Sequence, residues 1–191
     1  MNAFRLLAPA ALFAVAIPAL SCSSKTAPPT SGGAHFEFQA PAGVSASKCP
    51  DITTSSKTTL AVTGSDGKLK LIADGADGAN VSCQVDDSHT HFKVSVGNDS
   101  GSMSASGVIS GTTSTAASMS FFIHASSAQY ESSPKGCTIN FTVNDGNKLF
   151  GKFLCDEVDH QTLAGSQCAV TGRGADGTSL SFFSFSDCTA L

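Results

Sequence analysis

The chain has 191 residues and a formal net charge of −4, with only 14% of its residues charged. It holds no basic block, so binding to a phosphate backbone has no electrostatic footing and nucleic acid is not an expected partner. With no Trp and one Tyr it also lacks the residues of an aromatic platform for stacking sugars.

The first five residues carry one positive side chain, Arg5, and a small and apolar run follows from Leu6 to Ile17, interrupted only by Pro9. That run is 12 residues long, short of the roughly 20 that a membrane-spanning helix needs. Pro18 disfavours helix at Ile17 and helps end the run. Small residues then precede Cys22. These are the three parts of a secretory signal peptide over residues 1–21. Ala19-Leu20-Ser21-Cys22 resembles a bacterial lipobox, the motif whose cysteine becomes lipid-modified and the new N-terminus. Leu20 and Ser21 match that motif, and Ala19 stands where the family usually has leucine. The resemblance implies lipidation at Cys22 and a membrane anchor, made firm by the two or three acyl chains such lipoproteins carry. The rival reading is ordinary cleavage after Ser21, which gives a secreted soluble protein with Cys22 as a plain thiol.

Residues 22–33 follow as the lipidated cysteine and a disordered Ser/Pro/Gly tether, with no bulky apolar residue to bury. Residues 34–191 are expected to form a single domain. Its pattern has period two. Phe36 and Phe38, Leu60 and Val62, Leu69 and Leu71, Val81 to Val85, Phe92 to Val96 and Cys137 to Val143 each alternate with polar residues. Such runs are half-buried strands. Asp-Gly turns at 66–67, 77–78, 145–146 and 176–177 separate them. The fold class expected is all-β, an antiparallel sandwich or partly closed barrel of about ten strands. The stretch 97–118 is nearly all small and polar, and reads as a weak edge strand or a mobile loop.

Around Asn144–Lys148 a hairpin register in which partner numbers sum to 292 sets Val143 opposite Leu149, Phe141 opposite Gly151, Ile139 opposite Phe153 and Cys137 opposite Cys155. A shift by one would put Lys152 in the core. A second hairpin is expected from Cys168 to Cys188, so that four cysteines meet at one end of the sheet.

Seven cysteines are an odd number for an exported protein. With Cys22 acylated, Cys49, Cys83, Cys137, Cys155, Cys168 and Cys188 remain for three disulfides. Cys137–Cys155 with Cys168–Cys188 is one pairing. Cys155–Cys168 with Cys137–Cys188 is the other, and the favoured one, because a bridge across the 155–168 connection needs no distortion of adjacent strands. Either scheme leaves Cys49 for Cys83.

Candidates for chemistry are few. His89 and His91 lie two apart and share a face if extended, with Asp86 or Asp87 as a third ligand for a transition metal. The segment 155–160 gathers Asp156, Glu157, Asp159 and His160, read chiefly as a solvated acidic loop. Residues 97–102, GNDSGS, resemble the segment around the nucleophile of chymotrypsin-like proteases, with Ser100 as the serine, but the usual alanine-alanine-histidine-cysteine context is missing. No cofactor motif is present.

The chain as a whole resembles small disulfide-containing β-rich lipoproteins of Gram-negative envelopes, many of unknown function. The likeness rests on the lipobox, the tether and the paired-cysteine strands, and transfers no activity. It implies an envelope lipoprotein, outer-membrane anchored and non-enzymatic, that presents a β-domain to an envelope protein or small ligand. The alternatives are a secreted or anchored hydrolase and a periplasmic metal-binding protein using His89 and His91.

Overall fold

Alternation of apolar and polar residues persists through most of the chain, and strands form wherever it does. A computed structural model describes residues 27–50, 57–60, 62–63, 69–133, 135–170 and 181–191. These hold fifteen strand segments and two short 3-10 turns, with no α-helix among the described residues. Ten strands have four or more residues: β1 (Ser31–Gln39), β6 (Asn80–Val85), β7 (His91–Asn98), β8 (Gly101–Val108), β9 (Thr113–Ile123), β10 (Ala128–Ser132), β11 (Cys137–Asn144), β12 (Lys148–His160), β13 (Gln167–Val170) and β14 (Phe182–Ser186). Five have two or three: β2 (Lys57–Thr59), β3 (Val62–Thr63), β4 (Leu69–Lys70), β5 (Ile72–Ala73) and β15 (Thr189–Ala190). The expected all-β, partly closed architecture is the observed one. The signal peptide, Cys22, and the Asp-Gly turns at 66–67 and 176–177 lie outside the described residues.

β6, β7, β8, β9 and β10 are consecutive antiparallel neighbours. The sheet then curls through β11, β12 and β14 to β1. Three long strands change partner along their length. β1 pairs β14 over Ser31–His35 and β13 over Phe38–Gln39. β9 pairs β11 near its start and β10 near its end. β12 pairs β11 and β14 over its first half, then β10 and β13 over its second. Strands that switch partner at a bend make the corners of a barrel.

The open seam lies between β6 and β1. Asp74 spans it: its backbone N–H donates to the Thr30 carbonyl at 2.8 Å, and its carboxylate accepts from the Val81 N–H at 2.8 Å. β15 adds parallel to β6, and Cys83–Cys188 ties the two. Inside, aromatic rings form a continuous chain. Phe36 meets Phe121 at 5.0 Å, Phe121 meets Phe153 at 5.9 Å, and Phe153 meets Phe183 at 6.1 Å. Tilted and stacked contacts of this kind add to the burial of the rings themselves.

Several expectations are corrected. Ser31–Gly33 are not tether but the start of β1, paired with β14. The 97–118 stretch is strand apart from its two turns, and it is no edge, because β8 pairs β7 on one side and β9 on the other. Its inward positions, Gly101, Met103 and Ala105, are buried, and outward Ser104 meets Ser120 hydroxyl to hydroxyl at 2.8 Å. Alternation is present there but carried by small residues. The β11–β12 register holds from Thr138↔Leu154 to Phe141↔Gly151. A bulge then sets Val143 opposite Phe150 rather than Leu149, and leaves Val143 39% exposed. Asp145 drives the shift: its carboxylate accepts from the Asn147 and Lys148 N–H groups and closes the turn one residue tighter.

The disulfides are Cys49–Cys168, Cys83–Cys188 and Cys137–Cys155. The favoured pairing is wrong, and so is Cys49–Cys83; only Cys137–Cys155 of the first scheme forms. β13 and β14 do not make a hairpin with each other. Both run antiparallel to β12, β13 beside its second half and β14 beside its first, in line. Cys168 and Cys188 therefore emerge at opposite ends. Cys168 stands opposite Val158, three residues along β12 from Cys155, out of bridging reach.

Candidate functional site

The concave surface sits at the bend of β12. Its pairing with β13 shifts between Cys155 and Val158, from Cys155↔Val170 to Val158↔Cys168. The extra residue is a β-bulge, and a bulge re-aims the side chains it carries. Cys155 and Val158 are both fully buried, so Asp156 and Glu157, adjacent in the chain, are both left outside. They line a cleft of about 490 Å³ with Gln39 at the end of β1, Lys135, Thr138 at the start of β11, and Gln167 at the start of β13. Pro41, Ala42 and Val44 form a further wall.

The cleft is braced from below. Cys137–Cys155 crosses β11 and β12 under the bulge. Cys49–Cys168 holds the segment after β1, which carries the Pro41–Val44 wall, onto β13. The Gln167 Nε2 donates to Glu157 Oε1 at 2.5 Å, and the Ser133 N–H donates to the Glu157 carbonyl at 3.3 Å. Asp156 and Lys135 are exposed, and neither has a side-chain partner among the described residues. Gly136 lies close against β9, at φ +70° with the Ala116 carbonyl carbon 2.7 Å from where a Cβ would be.

The cleft lies at the end of the barrel away from Ser31. Ser31 opens β1 and Gln39 closes it. Eight steps of about 3.3 Å put roughly 26 Å between them.

His89 and His91 are not gathered into one ligand set. His89 has φ +57° and its ring rests over Gly146, where a Cβ would lie 2.6 Å from Nε2. The His91 Nδ1 turns to Asp86 Oδ2 at 3.1 Å. Asp86 is the hub of that loop. It accepts from the Ser88 hydroxyl at 2.5 Å, from the Thr90 hydroxyl at 2.8 Å, and from the N–H groups of Thr90 and His91 at 2.6 and 2.7 Å. The Ser88 hydroxyl and then the His91 N–H hold its carboxyl far below the ordinary range. No group of three or more His, Cys, Asp and Glu side chains stands ready for a metal among the described residues.

The acidic segment at 155–160 is strand rather than loop, and it divides. Asp156 and Glu157 enter the cleft, while His160 caps the next turn, its Nδ1 accepting from the N–H groups of Thr162 and Leu163 at 3.2 Å each. Ser100 lies in the turn after β7, whereas His91 begins β7, so the length of the strand, roughly 23 Å over its seven steps, separates them. His35 pairs with Glu37 at 3.2 Å and stacks towards Phe182 on the outer face. Tyr130 is buried in the core against Phe38. A shallower apolar groove of about 320 Å³ lies towards the Ser31 end, between Leu71, Val143 and Phe150.

Compared with protein-family models, with curated proteins and with solved structures, the chain matches none.

Proposed function

We propose that this chain is a lipid-anchored protein of the bacterial cell envelope, non-enzymatic, which is cleaved before Cys22, acylated there, and presents its β-barrel as a binding module. The observation that carries the reading is the cysteine pairing. Three bridges take up six of the seven cysteines. Disulfides on this scale belong to an oxidising compartment. The seventh cysteine is the one in the lipobox-like motif, available for acylation.

β1 begins at Ser31, so eight residues separate Cys22 from the barrel. As a coil they reach roughly 16 Å. The Ser31 end then faces the membrane, and the cleft at the far end faces away from it, open to a soluble ligand. The expected address is the outer membrane. Replacing Cys22 tests the anchor. In the C22S variant, label from radioactive palmitate disappears and the protein moves from the membrane pellet to the soluble fraction. A wild-type protein that is already soluble and unlabelled gives the secreted alternative instead.

A further inference from the structure

The reading as a binding module leaves open what the module binds, and the cleft lining answers in chemical terms; the inference below rests on that reading. We propose that the cleft takes a small zwitterion, of the class of free α-amino acids and short unblocked peptides, with its ammonium between Asp156 and Glu157 and its carboxylate on Lys135.

The lining excludes most other classes. It holds two carboxylates, one ammonium, the amides of Gln39 and Gln167, and hydroxyls such as that of Thr138, with no aromatic ring. A stacking ligand finds no aromatic ring there, and a purely hydrophobic one that settled on the Pro41, Ala42 and Val44 wall would strand the charged and amide groups opposite. Two anions attract a cation. A bare polyamine or metal ion would however have to accept Lys135 in the same cleft, and the like charge works against it. A molecule with one ammonium and one carboxylate complements both signs. Its groups also meet unoccupied partners. Glu157 commits only one oxygen to Gln167, and Asp156 and Lys135 have no side-chain partner among the described residues. The volume of about 490 Å³ falls within the range of small-molecule sites. The bulge supplies the specific signature: an unbroken strand would send Asp156 and Glu157 to opposite faces, and here both meet the same space. The two bridges hold the floor and one wall in place before any ligand arrives, which lowers the ordering cost of binding.

Isothermal titration of the mature chain as isolated, in detergent, tests this with L-alanyl-L-alanyl-L-alanine and its N-acetyl and C-amide forms. The unblocked tripeptide is expected to bind saturably, and each blocked form about tenfold or more weakly, the value of one charged hydrogen bond. E157Q and D156N weaken the tripeptide by a similar factor. K135A weakens the tripeptide but leaves the C-amide form unchanged, so that the two become equal. The exposed D87N variant, outside the cleft, binds like wild type. No saturable heat up to roughly 10 mM tripeptide, well beyond a millimolar dissociation constant, overturns the proposal. Equal binding of the blocked and unblocked forms does so too. Acylation is read separately, from the N-terminal mass, so an empty cleft and an unmodified Cys22 are distinct failures.

Discussion

Gly136 illustrates how single positions hold the cleft in shape. Its φ of +70° lies in the left-handed region, and a Cβ there would press into the Ala116 backbone at 2.7 Å. G136A is expected to cost about 1–3 kcal/mol through strain and overpacking. Urea unfolding reads it as a lower midpoint, and an unchanged midpoint would mean that the turn does not approach β9. Asp86 acts through charge rather than volume. Its folded-state pKa is depressed, so its stabilising effect is complete above the ordinary Asp range near pH ~4 and fades as pH falls towards the folded value. D86N is therefore less stable than wild type at neutral pH, and the gap in Tm between them narrows as pH drops below about 4. A gap that widens in acid would contradict the hydrogen-bonded hub. The bulge left a signal at this scale that the loop reading of 155–160 passed over. Cys155 and Val158 are three apart with two acids between, whereas an unbroken strand puts its inward residues two apart. Inward cysteine and valine could face one core only if the strand carried an extra residue.

At the scale of elements, local alternation located most of the strands but could not say which strands meet. The β11–β12 hairpin was readable because its turn is short and Lys152 vetoes the other parity. β8 and the first half of β9 were read only as a weak edge strand or a mobile loop because Gly, Ala, Ser and Thr fill most of them, and a pattern of small residues has little contrast. Their stability comes from pairing on both sides, a long-range property. The in-line arrangement of β13 and β14 along β12 is a long-range property, and no local pattern announces it. The disulfide errors followed directly from that missed topology. Peptide mapping without reduction is expected to yield cross-links 49–168, 83–188 and 137–155. A 155–168 cross-link would restore the hairpin and undo the barrel. Cys49–Cys168 joins residues separated by 119 positions. The double variant C49S/C168S is expected to lose about 2–4 kcal/mol in denaturant unfolding. It also releases the wall that Pro41, Ala42 and Val44 supply, so tripeptide binding weakens with it. Loss of stability without any change in binding would separate that wall from the site.

At the scale of the whole molecule, one strand relates the proposed anchor to the cleft. β1 leaves the N-terminal segment at Ser31 and reaches the cleft at Gln39. Covalent staples secure the barrel at both ends, Cys83–Cys188 across the seam and the other two around the cleft. Under the proposed anchoring, the barrel would stand as a rigid spacer that holds a polar site away from a lipid surface. The all-β class was legible in the sequence at this scale, whereas the proposed address rests on the lipobox-like motif alone. The cleft, assembled from β1, β11, β12 and β13, could not be read before the topology was known. Everything about orientation depends on Cys22. Intact mass spectrometry of the mature protein, with fragmentation of its N-terminal peptide, measures that residue directly. The predicted result is a chain that begins at Cys22 and carries a diacylglyceryl adduct on its sulfur. A chain that begins at Cys22 with a free thiol, or at any other residue, would contradict the anchor and remove the membrane from the description.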